Sequence, residues 1–77
     1  MTKSDFLDVI ADIVEADAGS LDGSEAVAEL DGWDSLARLS LIAAIDKKLG
    51  VTLSANTVNA CETLNDIVGL LGDKVTG

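Results

Sequence analysis

Apolar residues recur at helical spacing in three separate stretches of this chain, and glycine-bearing polar runs break the rhythm between them. That pattern constrains the fold more than any other feature. Phe6, Val9, Ile10, Ile13 and Val14 fall at i, i+3, i+4, i+7 and i+8, which places them on one stripe of an α-helix. Asp5, Asp8, Asp12 and Glu15 face outward, and Thr2 or Ser4 can cap the start. The first helix is therefore expected over residues 4 to 16. A second is expected over residues 35 to 49, stopped by Gly50 and carrying Lys47 and Lys48 in its last turn. Ser54 can cap a brief helix over residues 55 to 60, with Val58 and Cys61 as its inward contacts. Thr63, with Asp66 three residues on, has the pattern of a capping box for a final helix whose core stripe is Leu64, Ile67, Val68, Leu71 and Val75.

Between the first two helices, from residue 17 to residue 34, the apolar period disappears. Gly19, Gly23 and Gly32, with Ser20, Asp22, Ser24 and Asp31, read as a long loop that Leu21, Val27 and Leu30 pin to the core. A short helical turn capped by Ser24 fits residues 24 to 30. Loops this long are uncommon in compact domains unless they are functional. The expected architecture is all-α: a small four-helix bundle with three longer helices, one short helix and a long first loop. At 77 residues the chain has room for one domain, residues 1 to 77, near the lower limit at which a single core folds without disulfides or metal. With Phe6 and Trp33 the only aromatics, the core must rely on Leu, Ile, Val and Ala.

The second helix holds too many apolar residues for one stripe. At roughly 100° per residue, Leu41, Ile45 and Leu49 cluster with Ile42 nearby, while Leu36, Leu39 and Ala43 form a second group a third of a turn or more away. The first cluster faces the core. The second either packs under the long loop or presents a docking stripe to a partner, in the manner of helix-in-groove recognition.

That stripe begins beside Gly32-Trp33-Asp34-Ser35-Leu36, where the irregular acidic segment gives way to the second helix. The first turn of a helix leaves N–H groups unpaired, and its dipole favours negative charge there, so a serine at this junction suits a phosphate. Asp34 can act as N-cap with Ser35 at an early helical position, or the two can exchange roles. Ser35 is not a catalytic nucleophile in its own right, since its hydroxyl would need a neighbouring base and the chain has no histidine. Asp34-Ser35-Leu36, followed by an apolar helix and a capped C-terminal helix, resembles the acyl carrier protein family over nearly the whole chain.

The resemblance implies that Ser35 carries 4′-phosphopantetheine through a phosphodiester and that the arm's thiol holds acyl cargo as a thioester. It also implies a phosphopantetheinyl transferase that uses coenzyme A and Mg²⁺ and reads Asp34 while orienting Ser35. An acyl-loading ligase or acyltransferase and downstream synthase or transferase enzymes complete the expected partners. The protein itself is then a non-catalytic carrier. Trp33, Leu36, Leu39 and Ala43 are the candidate docking residues, with Trp33 also read as a loop residue packed partly on the bundle. Cys61 reads as a small buried hydrophobe, and the resemblance puts it at the border of a cleft for acyl cargo. Ala43, Ala44 and Ala60 are small enough to leave room there.

Charge separates this chain from a general fatty-acid carrier. Residues 1 to 34 hold ten acidic groups and one lysine, whereas residues 35 to 77 hold four acidic and four basic groups, so all of the net charge of −9 precedes Ser35. The acidic half reads as a solubilising face, and its spacing does not match a calcium loop. Many fatty-acid carriers have an acidic second and third helix. Here the second carries Asp46 but also Arg38, Lys47 and Lys48, and residues 55 to 60 are uncharged. The expectation is a specialised lipid, polyketide or cell-surface pathway. A peptidyl carrier, or a helical interaction module in which Ser35 is never modified, are the alternatives. The acidic balance argues against nucleic-acid binding. One cysteine, no secretory leader and no bilayer-length apolar run point to a cytoplasmic setting without stable membrane insertion, and a monomer is expected.

Overall fold

The computed structural model describes residues 1–76, so Gly77, the last residue of the expected domain, lies outside the described residues. Four α-helices follow one another: α1 (Lys3–Ile13), α2 (Ser35–Leu49), α3 (Ala55–Asn59) and α4 (Leu64–Leu71), with 3₁₀ turns at Val27–Glu29 and Gly72–Lys74. The all-α bundle expected from the periodicity is the fold observed, and α2 begins and ends where its cap and its glycine placed it. Asp34 caps α2, and Gly50 closes it in the left-handed conformation at φ 68°. Phe6 and Ile10 of α1, Leu41 and Ile45 of α2, Val58 of α3 and Leu64 and Ile67 of α4 meet in the fully buried centre.

Two boundaries differ from the expectation for physical reasons. Helix α1 stops at Ile13, with Val14 as its C-cap, and does not run to residue 16. The next residue, Glu15, adopts φ 61°. Its N–H donates to the Asp12 carbonyl at 3.3 Å and the Ala16 N–H donates to the Ala11 carbonyl at 2.8 Å, the hydrogen-bond pair of a Schellman motif. Glutamate there bears the steric cost of a left-handed residue that glycine avoids. Glu15 is exposed, so Glu15→Gly is expected to stabilise the protein by about 1 kcal/mol, a rise of roughly 4–8 °C in a calorimetric midpoint. Helix α4 ends at Leu71, ahead of Gly72 at φ 53°. Val75 is buried as expected, but in extended backbone past the helix, where Thr2 and Thr76 form a parallel bridge.

The buried face of α1 is also turned from the predicted stripe. Of that stripe Phe6, Ile10 and Val14 are buried and Val9 and Ile13 only half-buried, while Leu7 and Ala11 are buried in addition. On α4, Val68 is likewise half-buried.

The long loop is fastened to α4 by main-chain hydrogen bonds. Leu64 and Asn65, in the first turn of α4, donate to the carbonyls of Glu25 and Gly23 at 3.2 and 2.8 Å, and Val27 N–H donates to the Glu62 carbonyl at 2.9 Å. The loop thereby satisfies N–H groups that a helix start leaves free. Glu25 holds the bend from inside, accepting from the N–H groups of Asp22 and Gly23 at 2.9 and 2.8 Å. The turn expected over residues 24 to 30 is a 3₁₀ turn at Val27–Glu29 with no side-chain cap. Ser24 does not cap it. Its hydroxyl and its N–H both donate to Asp22 Oδ1, which holds the Asp22 carboxyl below its ordinary range. Asp66 does fill the expected capping box of α4. It accepts from the N–H groups of Thr63 and Glu62, which lowers its carboxyl in the same way.

Candidate functional site

The loop reaches α2 over the end of α1. Gly32 has φ +84°, and a Cβ built there would lie 2.8 Å from the carbonyl oxygen of Val14, so main chain passes over main chain at this point. Trp33 follows, half-buried against the core, and its N–H donates to the Leu30 carbonyl at 3.2 Å. Asp34 is extended, at φ −137° and ψ −172°, and does two jobs of an N-cap. Its Oδ1 accepts from Ala37 N–H at 2.8 Å, and its carbonyl accepts from Arg38 N–H at 3.0 Å. Of the two arrangements left open by the sequence, Asp34 is the cap. Ser35 is the first residue of α2 and is exposed, with its hydroxyl not engaged in that cap.

The two apolar groups on α2 separate as the wheel indicates. Leu41 and Ile45 are fully buried and Ile42 and Leu49 partly so, whereas Leu36 is 72% exposed, Leu39 57% exposed, and Ala43 exposed. The long loop does not cover Leu36, Leu39 and Ala43. Ala37, which belongs to neither group, is buried.

On the other side of Ser35 lies a cleft of about 350 Å³, bordered by Trp33, Ser35 and Arg38 on one wall and by Val58, Asn59 and Cys61 on the other. Cys61 is part of the cleft wall. Burial raises its thiol above the ordinary range, and the nearby Asp66 carboxylate adds to the rise. Ala43, Ala44 and Ala60 do not line this cleft. Ala44 borders a separate groove with Asp5, Asp8 and Lys48. Two of the lining residues are joined by a pairing that the sequence did not disclose: Arg38 Nη1 donates to Asn59 Oδ1 at 2.8 Å, linking α2 to α3. Arg38 Nε, in contrast, is buried without a hydrogen-bond partner. A hint was present in the sequence, since Arg38 is a cation three residues after Ser35 at the end of an acidic half.

A family model described as Phosphopantetheine attachment site matches residues 4–71. The chain belongs to that family. No curated protein and no solved structure matched it. Its prosthetic group is accordingly a covalently attached 4′-phosphopantetheine, and the protein is a carrier of that group. Domains of this family are generally non-catalytic and interact with phosphopantetheinyl transferases and acyl-handling enzymes. The residues present fit the group: an exposed serine at a helix start, a cleft beside it, and a guanidinium N–H that lacks an acceptor. Among the described residues no cluster of three or more His, Cys, Asp or Glu is arranged to hold a metal ion. No helix among them is long and apolar enough to cross a membrane.

Proposed function

We propose that Ser35 is the attachment point of the phosphopantetheine arm, and that the protein shuttles thioester-bound acyl groups between enzymes of a specialised lipid, polyketide or cell-surface pathway. The observation that carries this reading is the division of labour at the start of α2, where Asp34 provides the cap and Ser35 Oγ is left exposed. A transferase that deprotonates Ser35 Oγ directs it at the pyrophosphate of coenzyme A, a phosphodiester forms, and the nucleotide half leaves. When bound, the arm supplies a thiol for thioester chemistry. The chain's own residues do the rest. Asp34 fixes the orientation of the first turn, and the helix N-terminus favours the new negative charge.

Leu36, Leu39 and Ala43 give a docking enzyme an apolar grip next to the arm's root, with Trp33 at the loop side. A tethered thioester then meets the docked active site at high effective concentration. Incubation of the purified protein with coenzyme A, Mg²⁺ and a broad transferase tests the reading. Intact-mass analysis is expected to show a gain of one phosphopantetheine, mapped by fragmentation to the peptide holding Ser35. No gain would return the protein to the class of unmodified helical interaction modules.

The pathway reading rests on α2 and α3. The exposed residues Asp46, Lys47 and Lys48 and the half-buried Arg38 leave α2 without an acidic face, and α3 carries no charge. Electrostatic complementarity governs encounter with partner enzymes, so general fatty-acid synthase components are expected to load malonyl groups onto the holo-protein poorly. Efficient malonyl loading followed by chain elongation would sink the specialised assignment.

A further inference from the structure

We propose that Arg38 is a positioning residue for the arm, its guanidinium holding the phosphodiester at Ser35 and turning the root of the arm toward the cleft; this rests on Ser35 being the attachment point. Ser35 and Arg38 are three residues apart on α2, so their Cβ atoms are neighbours at roughly 5–6 Å, and both side chains border the same cleft. The guanidinium carries a positive charge and presents five N–H donors. Its hydrogen-bond partner is a neutral amide, that of Asn59, which leaves the positive charge without an anion at this contact. Nε is buried and makes no hydrogen bond, an uncompensated desolvation that natural structures rarely keep without a reason.

A phosphodiester on Ser35 supplies the missing anion, and because Nε is closed off in this conformation the pairing has the guanidinium turn toward Ser35. The diester carries one negative charge and two free oxygens, which match the planar fork of arginine. The same charge would stand beside the Asp34 carboxylate, and Arg38 is the basic residue bordering the cleft that can offset that repulsion.

Position on the helix makes the pairing useful. Counting from Ser35, Leu39, Ala43 and Leu36 lie roughly 40–100° to one side and Arg38 roughly 60° to the other. An arm drawn toward Arg38 leaves the exposed leucines clear for a partner. Free in solution, it lies along the cleft beside Trp33 and Cys61.

The test compares apo- and holo-protein, the latter made with coenzyme A and a transferase and verified by intact mass. In ¹⁵N spectra the Arg38 Nε–H resonance is expected to move downfield on conversion, with a cross-peak to the ³¹P nucleus. The midpoint of thermal unfolding is expected to rise by about 2–4 °C on conversion, as suits a partly exposed charge pair in a small domain. In Arg38→Gln, which removes the charge and is too short to reach Asn59, that increment, taken between apo and holo forms of the same variant, falls to less than half, and Arg38→Lys restores part of it. A wild-type protein that takes the arm at Ser35 with an unmoved Nε–H resonance overturns the proposal alone. Equal increments in wild type and Arg38→Gln do the same. A wild-type protein that gains no mass overturns the attachment at Ser35 and this pairing with it.

Discussion

Ser35→Ala is expected to abolish the gain of one phosphopantetheine completely while leaving the thermal midpoint unchanged or slightly raised. With the arm attached at Ser35 as proposed, its hydroxyl is the nucleophile that the transferase needs, and alanine offers none. Structurally it contributes little: Ser35 is exposed, and the first-turn bond to Ala37 N–H comes from Asp34. Alanine is the better helix former by up to about 0.5 kcal/mol, so the variant should fold at least as well. Asp34→Ala is the converse case. It removes the cap and costs about 1 kcal/mol, roughly 4–8 °C here, while keeping a serine that can be modified, though less readily because the first turn frays. Intact mass and calorimetry on the two variants separate chemistry from architecture. A mass gain persisting in Ser35→Ala would move the attachment to another hydroxyl.

That separation was only half visible in the sequence. Asp34, Ser35 and Gly50 announce the ends of α2 because capping and left-handed closure are local, and local chemistry is written in neighbouring residues. The separation of two apolar groups on α2 was legible for a similar reason, but whether the long loop covers Leu36 and Leu39 was left open until the fold showed them exposed. The end of α1 was not legible, because the left-handed position of its Schellman motif is filled by Glu15, which carries no sign of that role. Which side of α1 faces inward depends on what it packs against. Leu7 and Ala11 are covered and Val9 and Ile13 partly bared although all four are apolar.

The loop hides more, since its order comes from backbone groups. The bonds from Leu64 and Asn65 to Glu25 and Gly23 join carbonyls and N–H groups that every residue has, so no side-chain pattern marks them. The Arg38 bond to Asn59 joins side chains 21 residues apart across two helices, and only the packed bundle brings them together. A reading of the sequence therefore finds the exposed hydroxyl at the start of α2 and misses the bond by which the Arg38 guanidinium reaches α3.

Gly32→Ala is expected to cost about 2–4 kcal/mol, because the added methyl meets main chain, and Gly19→Ala supplies its control. The two glycines have nearly the same backbone, φ +84° and φ +81°. Any Cβ placed there bears roughly 1–2 kcal/mol for a left-handed conformation. Around Gly19 nothing lies within 4 Å of the added atom, so Gly19→Ala should lose that amount and no more. At Gly32 the atom would stand 2.8 Å from the carbonyl oxygen of Val14 and 3.4 Å from its Cα and carbonyl carbon, all main chain at the C-cap of α1. A flexible side chain could swing aside, but this backbone cannot move without lifting the loop off the helix end. Gly32 lies two residues before the cap of α2, so the lift displaces Trp33, Asp34 and Ser35 together. Gly32→Ala should therefore also slow transferase modification at temperatures where the variant remains folded, whereas Gly19→Ala should be modified at the wild-type rate. Denaturant unfolding gives the two losses, and timed intact-mass measurements give the two rates. Equal losses for the pair would mean that the crossing over Val14 is loose and that Ser35 is not held in place by it.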